Sequence, residues 1–322
     1  MKKKNFIKWG VVAVIAVLLV VFVVNRDYLA DLFRGMIYKP SEEMLDIREN
    51  LALTGKGSFI FNASQPVLSG RAEFNAACRK NGDETAILGC YTEGNVFVYD
   101  IDSEELKGIK ELTAAHELLH AVWARMGNGE QKQYTKALNE VLENNRDVLE
   151  EEISYYDNNE KQEELYVRAG TEIKKLPDVL EKHFGEIFKD QDKIVDYYNS
   201  YIGVFNNLKA EMNALTVEME TIQAQIDTKT TEYTGGVDAL NAEIKEFNEC
   251  AETAGCFNSQ WAFNTRRAAL LREQESLEYI YNEIDGLINK YNELVEKYNA
   301  DIVYSDKLNQ KINSSVKPAE IE

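Results

Sequence analysis

Two runs of heptad repeat constrain the fold of this chain more than any other feature of its sequence. Within residues 201–247 and again within 263–312, apolar side chains recur at intervals of seven. The first run contains Met212, Met219, Ile226, Tyr233, Leu240 and Phe247, with Leu208, Leu215 and Ile222 interleaved. The second contains Phe263, Leu270, Leu277, Ile284, Tyr291, Tyr298 and Ile312. This spacing gives each run an apolar stripe along one side of a helix and is typical of a coiled coil.

The segment between the runs, residues 248–260, is short enough to join two helices that pack side by side in opposite directions. We therefore predict a long antiparallel α-helical coiled-coil hairpin over residues 201–315. The apolar stripe weakens near Lys229 and at Gly235-Gly236, which predicts a stutter or hinge there. The sequence leaves open whether the hairpin is a spacer, binds a protein partner or mediates self-association.

The first 26 residues predict a membrane anchor. Lysines occupy positions 2–4, and residues 9–24 carry no charge. A spanning helix needs about 20 apolar residues, and residues 6–8 extend the run if Lys8 snorkels. Lysines ahead of the run predict a cytoplasmic N-terminus and an exported remainder, as in a single-pass protein of a bacterial cell membrane. A cleaved signal peptide is the alternative, although no small-x-small cleavage site follows the run.

The charge and the cysteine content of the chain indicate which partners and which compartment suit the protein. The net charge is −19 and the pI is near 4.7, which argues against a nucleic-acid partner because phosphate binding requires clustered Lys and Arg. The four cysteines form two local pairs, Cys78 with Cys90 and Cys250 with Cys256. In an exported protein this arrangement predicts two disulfides. A metal site built from all four is the alternative, but neither pair has the spacing of a zinc ribbon.

The residues after the connector predict a small sheet. β-branched and aromatic runs at Ser58–Phe61, Thr85–Tyr91 and Asn95–Tyr99 predict strands, the last two joined by a tight turn. With a helix around residues 70–79, they predict a small antiparallel sheet.

From Ser103 onward the periodicity is helical. Residues 108–126 are apolar around most of the helix surface, which predicts a buried helix. Further helices are expected around residues 130–157, 160–174, 177–188 and 190–200. The predicted organisation is an anchor (1–26), a connector that is helical in parts and broken at Pro40 (27–54), an α+β domain (55–200), the hairpin (201–315) and a tail (316–322).

The predicted buried helix carries the segment His116-Glu117-Leu118-Leu119-His120. Histidines at i and i+4 project from one face of a helix, close enough for both imidazoles to bind one Zn²⁺. Bound zinc lowers the pKa of a water molecule towards ~7, and the neighbouring carboxylate can take its proton during attack on a carbonyl. The whole chain has three histidines, so this spacing is improbable by chance. A pair of core histidines on a buried helix is the alternative.

The wider stretch resembles the signature of zincin metallopeptidases. Thr113-Ala114, the His-Glu-x-x-His core and Ala121-Val122 match the extended pattern. Metzincins have Gly and His where this chain has Trp123 and Met126, so the resemblance is to the gluzincin branch. It implies a third zinc ligand, a glutamate on a later helix, and an open fourth position for hydrolysis.

Candidates for that glutamate lie within residues 160–173. Glu164 begins a stretch similar to the glutamate-aromatic-small helices that carry the third ligand in several gluzincins. Glu172 is the second candidate, and Glu163 and the acids at 150–152 stay open.

The resemblance also implies a hydrogen-bond donor for the substrate oxyanion and a strand that binds substrate. Gluzincins commonly use a Tyr or His as the donor, which indicates His183, the one remaining histidine, or Tyr166. A packing role is the alternative for both. Zincins bind substrate backbone along an edge strand ahead of the active helix, which predicts that role for Asn95–Ile101.

Together these features predict a membrane-anchored zinc-dependent endopeptidase that acts on extracytoplasmic proteins or peptides. The alternative is a coiled-coil adaptor with a catalytically silent zinc domain, against which Glu117 argues because a silent site has no need of that carboxylate. A third hypothesis is a zinc amidase of cell-wall peptides.

Overall fold

The computed structural model describes residues 25–78, 87–154, 156 and 158–315. These residues divide into two compact units, one that ends at Val204 and resumes at Asn309, and one formed by Phe205–Leu308. The predicted anchor, residues 6–24, and the predicted tail, 316–322, lie outside the described residues. Of the helices that are described, none is both long enough and apolar enough to cross a membrane.

The first unit is mostly helical and contains one small sheet, in agreement with the predicted α+β class. Its helices before the long pair are α1 (Arg26–Ile37), α2 (Glu42–Asn50), α3 (Gly55–Ala63), α4 (Arg71–Cys78), α5 (Ile109–Trp123), α6 (Asn128–Asn144), α7 (Arg146–Ser154), α8 (Asn158–Glu172) and α9 (Asp178–Phe184). The strands are β1 (Val67–Ser69), β2 (Gly89–Thr92) and β3 (Asn95–Tyr99).

The sheet corrects two expectations. Its strand order is β1-β3-β2, with β1 parallel and β2 antiparallel to β3, so the sheet is mixed rather than antiparallel. The predicted hairpin is present as β2 and β3. Ser58–Phe61, predicted as a strand, lies inside α3. The hydroxyl of Thr54 accepts the amide of Gly57 and caps this helix, so the local capping signal overrides the strand propensity of the sequence.

Helix α5 lies at the centre of the core of the first unit. Ala115, Leu118 and Leu119 are almost fully buried, and α5 packs against α8, as shown by the contact of Trp123 with Tyr166 at 4.9 Å between ring centroids. Helices α1 and α2, separated at Pro40 as expected, lie in the predicted connector. Met44, Ile47 and Leu51 of that segment belong to the same core as α5.

Two predicted helices differ in extent. The helix expected around 130–157 is divided into α6 and α7 at Asn145, whose side-chain amide donates to the carbonyl of Val141 and so satisfies the end of α6. The helix expected at 190–200 is the beginning of a much longer one, α10 (Gln191–Glu252).

The second unit, Phe205–Leu308, consists of most of α10 and most of α11 (Gln260–Ile312). Ion pairs join Glu246 to Arg266, Lys229 to Glu283 and Glu218 to Lys290, so the partners move in opposite directions along the two helices. The helices are therefore antiparallel, as the heptads predicted. Its buried residues are Leu208, Ile222, Leu240, Leu270, Leu277, Ile284, Leu294 and Leu308.

Helix α10 continues without a break through Lys229 and Gly235-Gly236, where a stutter or hinge was predicted. A Cβ on Gly236 would lie 2.5 Å from a methyl group of Leu277, so this glycine allows close packing of the two helices. Cys250 and Cys256 form a disulfide at the tip, and Cys78 of α4 is bonded to Cys90 of β2. Both predicted disulfides are confirmed.

Candidate metal centre

Three side chains of the first unit converge on one point. His116 and His120 project from α5, and Glu164 projects from α8. Their ligating atoms lie within 4.8 Å of one another. The Nε2 atom of His116 lies 3.9 Å from Oε1 of Glu164, and Nε2 of His120 lies 3.6 Å from its Oε2. Ligands at ~2.0–2.1 Å from a tetrahedral zinc are about 3.3 Å apart, so small shifts would let these atoms bind one ion.

Glu163 orients the second histidine. Its carboxylate lies 2.8 Å from Nδ1 of His120, so the imidazole N–H is held there and Nε2 is directed towards Glu164. Metal-binding histidines are commonly fixed in this way by a carboxylate on the second nitrogen. Of the acids left open by the sequence, Glu163 therefore supports a ligand instead of joining the ligand group.

Arg168 holds the candidate ligand Glu164 in place. Its Nε donates to Oε1 of Glu164 at 2.6 Å, and its Nη1 donates to Glu172 at 3.0 Å. Glu152 accepts a third bond, at 3.4 Å, from Nη2. Glu172, the second candidate ligand, lies two helical turns from Glu164, about 12 Å along α8, and is paired with this guanidinium. Glu150 lies on α7 and pairs with Arg146 at an exposed position.

The charges in the site favour a divalent cation. Glu164 is 2% exposed and Glu117 is 6% exposed, and the guanidinium of Arg168 pairs with Glu164. Burial raises the pKa of Glu172 to about 7, which shows how little solvation this region offers a carboxylate. The donor set of two imidazoles and one carboxylate, in a region with more acids than cations, fits Zn²⁺.

Glu117 lies between the two histidines in sequence and packs directly against strand β2. A Cβ added to Gly89 would lie 2.6 Å from both Cγ and Oε1 of Glu117, so no larger residue fits at position 89. Burial raises the pKa of Glu117 to about 7, and the charges of Glu164 and Glu163 act in the same direction. The charge of His120 and a hydrogen bond from the backbone of Tyr91 act against it.

The two histidines differ in their electrostatic surroundings. Burial, together with the charges of His120 and Arg168, lowers the pKa of His116 well below its usual value. Burial also disfavours the charged form of His120, but its hydrogen bond to Glu163 and the charges of Glu117 and Glu164 outweigh that effect and raise its pKa. Both imidazoles remain partly open to solvent, with side chains 23% and 19% exposed.

His183 and Tyr166 lie in the core, which corrects the expectation that either donates to a substrate oxyanion. His183 is 3% exposed, and its two ring nitrogens are hydrogen-bonded to the hydroxyls of Tyr134 and Tyr166 at 2.9 and 2.8 Å. Tyr166 is itself fully buried. With both nitrogens engaged and almost no exposed surface, His183 fits the packing role that the sequence left open.

The expected substrate-binding strand also differs. Strand β3, which was predicted to be an edge strand, lies in the middle of the sheet. Within the described residues, β2 is the edge strand on the side of Glu117, and Cys90 ties it to α4. Of the two strands of the hairpin, β2 and not β3 is therefore the one at an edge of the sheet.

Sequence reasoning missed two residues of the site. Arg168 lies one helical turn after Glu164 and one turn before Glu172 on α8. This spacing predicts that its side chain pairs with both carboxylates. Gly89 carried no comparable signal, because its close contact with Glu117 arises from tertiary packing.

Comparison of the chain with protein-family models, curated proteins and solved structures finds no match.

Proposed function

We propose that this protein is a membrane-anchored, zinc-dependent endopeptidase that hydrolyses extracytoplasmic proteins or peptides. The observation that carries the proposal is the convergence of His116, His120 and Glu164 beside the buried carboxylate of Glu117. A pair of core histidines would need no buried acid from another helix, and Glu164 lies on α8, not on α5.

In the proposed reaction, His116, His120 and Glu164 would hold the zinc ion, while Glu163 and Arg168 fix the orientation of two of these side chains. Bound zinc would lower the pKa of a water molecule and polarise the scissile carbonyl. Glu117 would accept a proton from the attacking water and pass it to the departing amine. The edge strand β2 would pair with the backbone of an extended substrate, which gives affinity without a strict demand on substrate sequence.

The experiment is a comparison of Glu117→Gln with Glu111→Gln in the zinc-loaded protein. Both residues lie on α5, and the amide at position 111 can still accept the hydrogen bond that Asn50 donates to Glu111 at 2.9 Å. Hydrolysis of a peptide library and of cell-wall material is followed by mass spectrometry, and zinc content is measured on the same samples.

We expect Glu117→Gln to keep its zinc and lose roughly 10²- to 10⁴-fold in hydrolysis of the peptide library, because it cannot accept a proton. Glu111→Gln should match the wild type. Full activity in Glu117→Gln would exclude the assignment of the general base. Cleavage confined to cell-wall peptides would favour the amidase, and zinc binding without any hydrolysis by the wild type would favour the adaptor.

A further inference from the structure

Helix α1 exposes its apolar side. Met36 is 77% exposed and Phe33 is 64% exposed, values typical of charged surface residues rather than of large apolar ones. The exposed residues follow helical spacing and form one stripe, which we call the α1 stripe: Leu29, Leu32, Phe33, Met36 and Ile37.

Polar contacts attach the opposite side of α1 to the rest of the first unit. Asp31 accepts two hydrogen bonds from the guanidinium of Arg125, at 2.8 and 2.9 Å. Arg34 donates to the carbonyls of Ala63 and Gly94, at 2.7 and 2.8 Å. These bonds fix the rotation of the helix, so it cannot turn to bury the α1 stripe without breaking the partly buried ion pair between Arg125 and Asp31. The helix is thus the reverse of an ordinary surface helix, which faces its apolar side inward.

The sequence ahead of α1 indicates what covers the stripe. Residues 9–24 carry no charge and predict a membrane span, and α1 begins at Arg26. A helix that starts this close to the end of a span begins at the lipid–water interface. At ~1.5 Å per residue, its 12 residues extend about 18 Å from that point. Two cations flank the stripe: the exposed Arg26, which pairs with Asp27, and the exposed Lys39, whose charge suits a lipid phosphate.

We propose that α1 lies in the plane of the membrane interface, with the α1 stripe inserted at the boundary between headgroups and acyl chains. The first unit is then held against the bilayer by two contacts, the span and the stripe. Arg125, which binds Asp31, also donates to the hydroxyl of Tyr91 at 3.2 Å, so α1 is connected to the strand that packs on Glu117. This inference rests on the predicted anchor and is independent of the proposed hydrolysis.

The test places a nitroxide spin label at position 36 of the full chain. All four native cysteines are in disulfides, so a label attached to Met36→Cys reacts at a single site. Val217→Cys is the matched control, since Val217 is an apolar residue of the hairpin that is 63% exposed. The proteins are reconstituted in phosphatidylcholine vesicles containing phosphatidylglycerol, and the accessibility of the label to oxygen and to a water-soluble nickel chelate is measured.

We expect the ratio of oxygen to nickel accessibility at position 36 to be several-fold higher than at position 217. Equal ratios in protein that floats with the vesicles would overturn the inference and leave the anchor intact. A label at position 36 that is shielded from both reagents would also overturn it, because the stripe would then be covered by protein, whether residues 6–24 or a second copy. Protein that does not float with the vesicles would overturn both the inference and the anchor.

Discussion

The first unit buries titratable side chains in its core, whereas the hairpin Phe205–Leu308 buries only leucine and isoleucine. Glu117, Glu164 and His183 are at most 6% exposed, and within the described chain each buried polar residue lies outside the hairpin. A buried carboxylate costs several kcal/mol unless it is paired. Such groups lower the stability of a core, while the Leu and Ile of the hairpin contribute stability along its whole length. The two units should therefore respond differently to the same kinds of change.

The largest effect expected on stability comes from Arg168→Met. The side chain of Arg168 is 15% exposed and pairs with Glu164 and Glu172, so its removal leaves two buried carboxylates without their partner. We expect a loss of roughly 3–5 kcal/mol in the unfolding free energy of the chelator-treated protein, measured by urea denaturation.

Arg146→Met is the control, because Arg146 makes the same kind of helix pairs, with Glu143 and Glu150, at an exposed position. It should leave the unfolding free energy unchanged within error. An equal loss of unfolding free energy in the two variants would mean that the buried ion pairs of Arg168 contribute no more to stability than the exposed pairs of Arg146.

The pH dependence of stability gives the next largest effect. Burial lowers the pKa of His183 to about 4, with a smaller contribution from the charge of Lys56. In the unfolded chain this imidazole takes a proton near pH 6.5, while in the folded chain it stays neutral down to pH 4. Stability from this group is therefore complete above pH 6.5 and is lost as the pH falls towards 4, by about 3 kcal/mol in total.

His183→Gln, which can still bond a tyrosine hydroxyl but does not titrate, should remove this part of the acid sensitivity. The measurement is urea unfolding at pH 7.5 and at about pH 4.5, followed by hydrogen exchange of peptides from α8 and α9. The same pH sensitivity in variant and wild type would show that His183 is not the group responsible.

The smallest expected effect on stability comes from removing the disulfides, one of which lies in each unit. Replacing Cys250 and Cys256 with serine opens a short loop at the tip of the hairpin, and we expect a loss of about 2 kcal/mol with no change in zinc content or hydrolysis. Replacing Cys78 and Cys90 frees the strand next to Gly89, so hydrolysis should fall as well. Stability is measured by thermal unfolding. A loss of activity in the first double variant would contradict the separation of roles between the units.

The contrast also explains what the sequence could predict. The hairpin follows from a period of seven, which is a local pattern, and both disulfides follow from cysteines close in sequence. The pair His116 and His120 was predictable because one helical turn separates them. Glu164 was recognised by its resemblance to ligand helices and not by any spacing relative to α5.

The predictions that the structure corrects concern contacts between residues distant in sequence. Strand β1 is three residues long and pairs with β3 across an intervening helix, so it gives no periodic signal. His183 was indicated as catalytic because it is the one remaining histidine, whereas its surroundings of Tyr134 and Tyr166 depend on how α6, α8 and α9 pack. The contact between Gly89 and Glu117 likewise depends on tertiary packing that the sequence does not show.

The measurement that tests the account most directly is the zinc content of the purified full chain beside Glu164→Ala and Glu172→Ala. Both substitutions remove a buried carboxylate bound to Arg168, so they match in their cost to the fold. We expect about one zinc per chain in the wild type and in Glu172→Ala, and a loss of zinc in Glu164→Ala. No zinc in the wild type after metal is added back, or a loss in Glu172→Ala alone, would contradict the proposed metal centre.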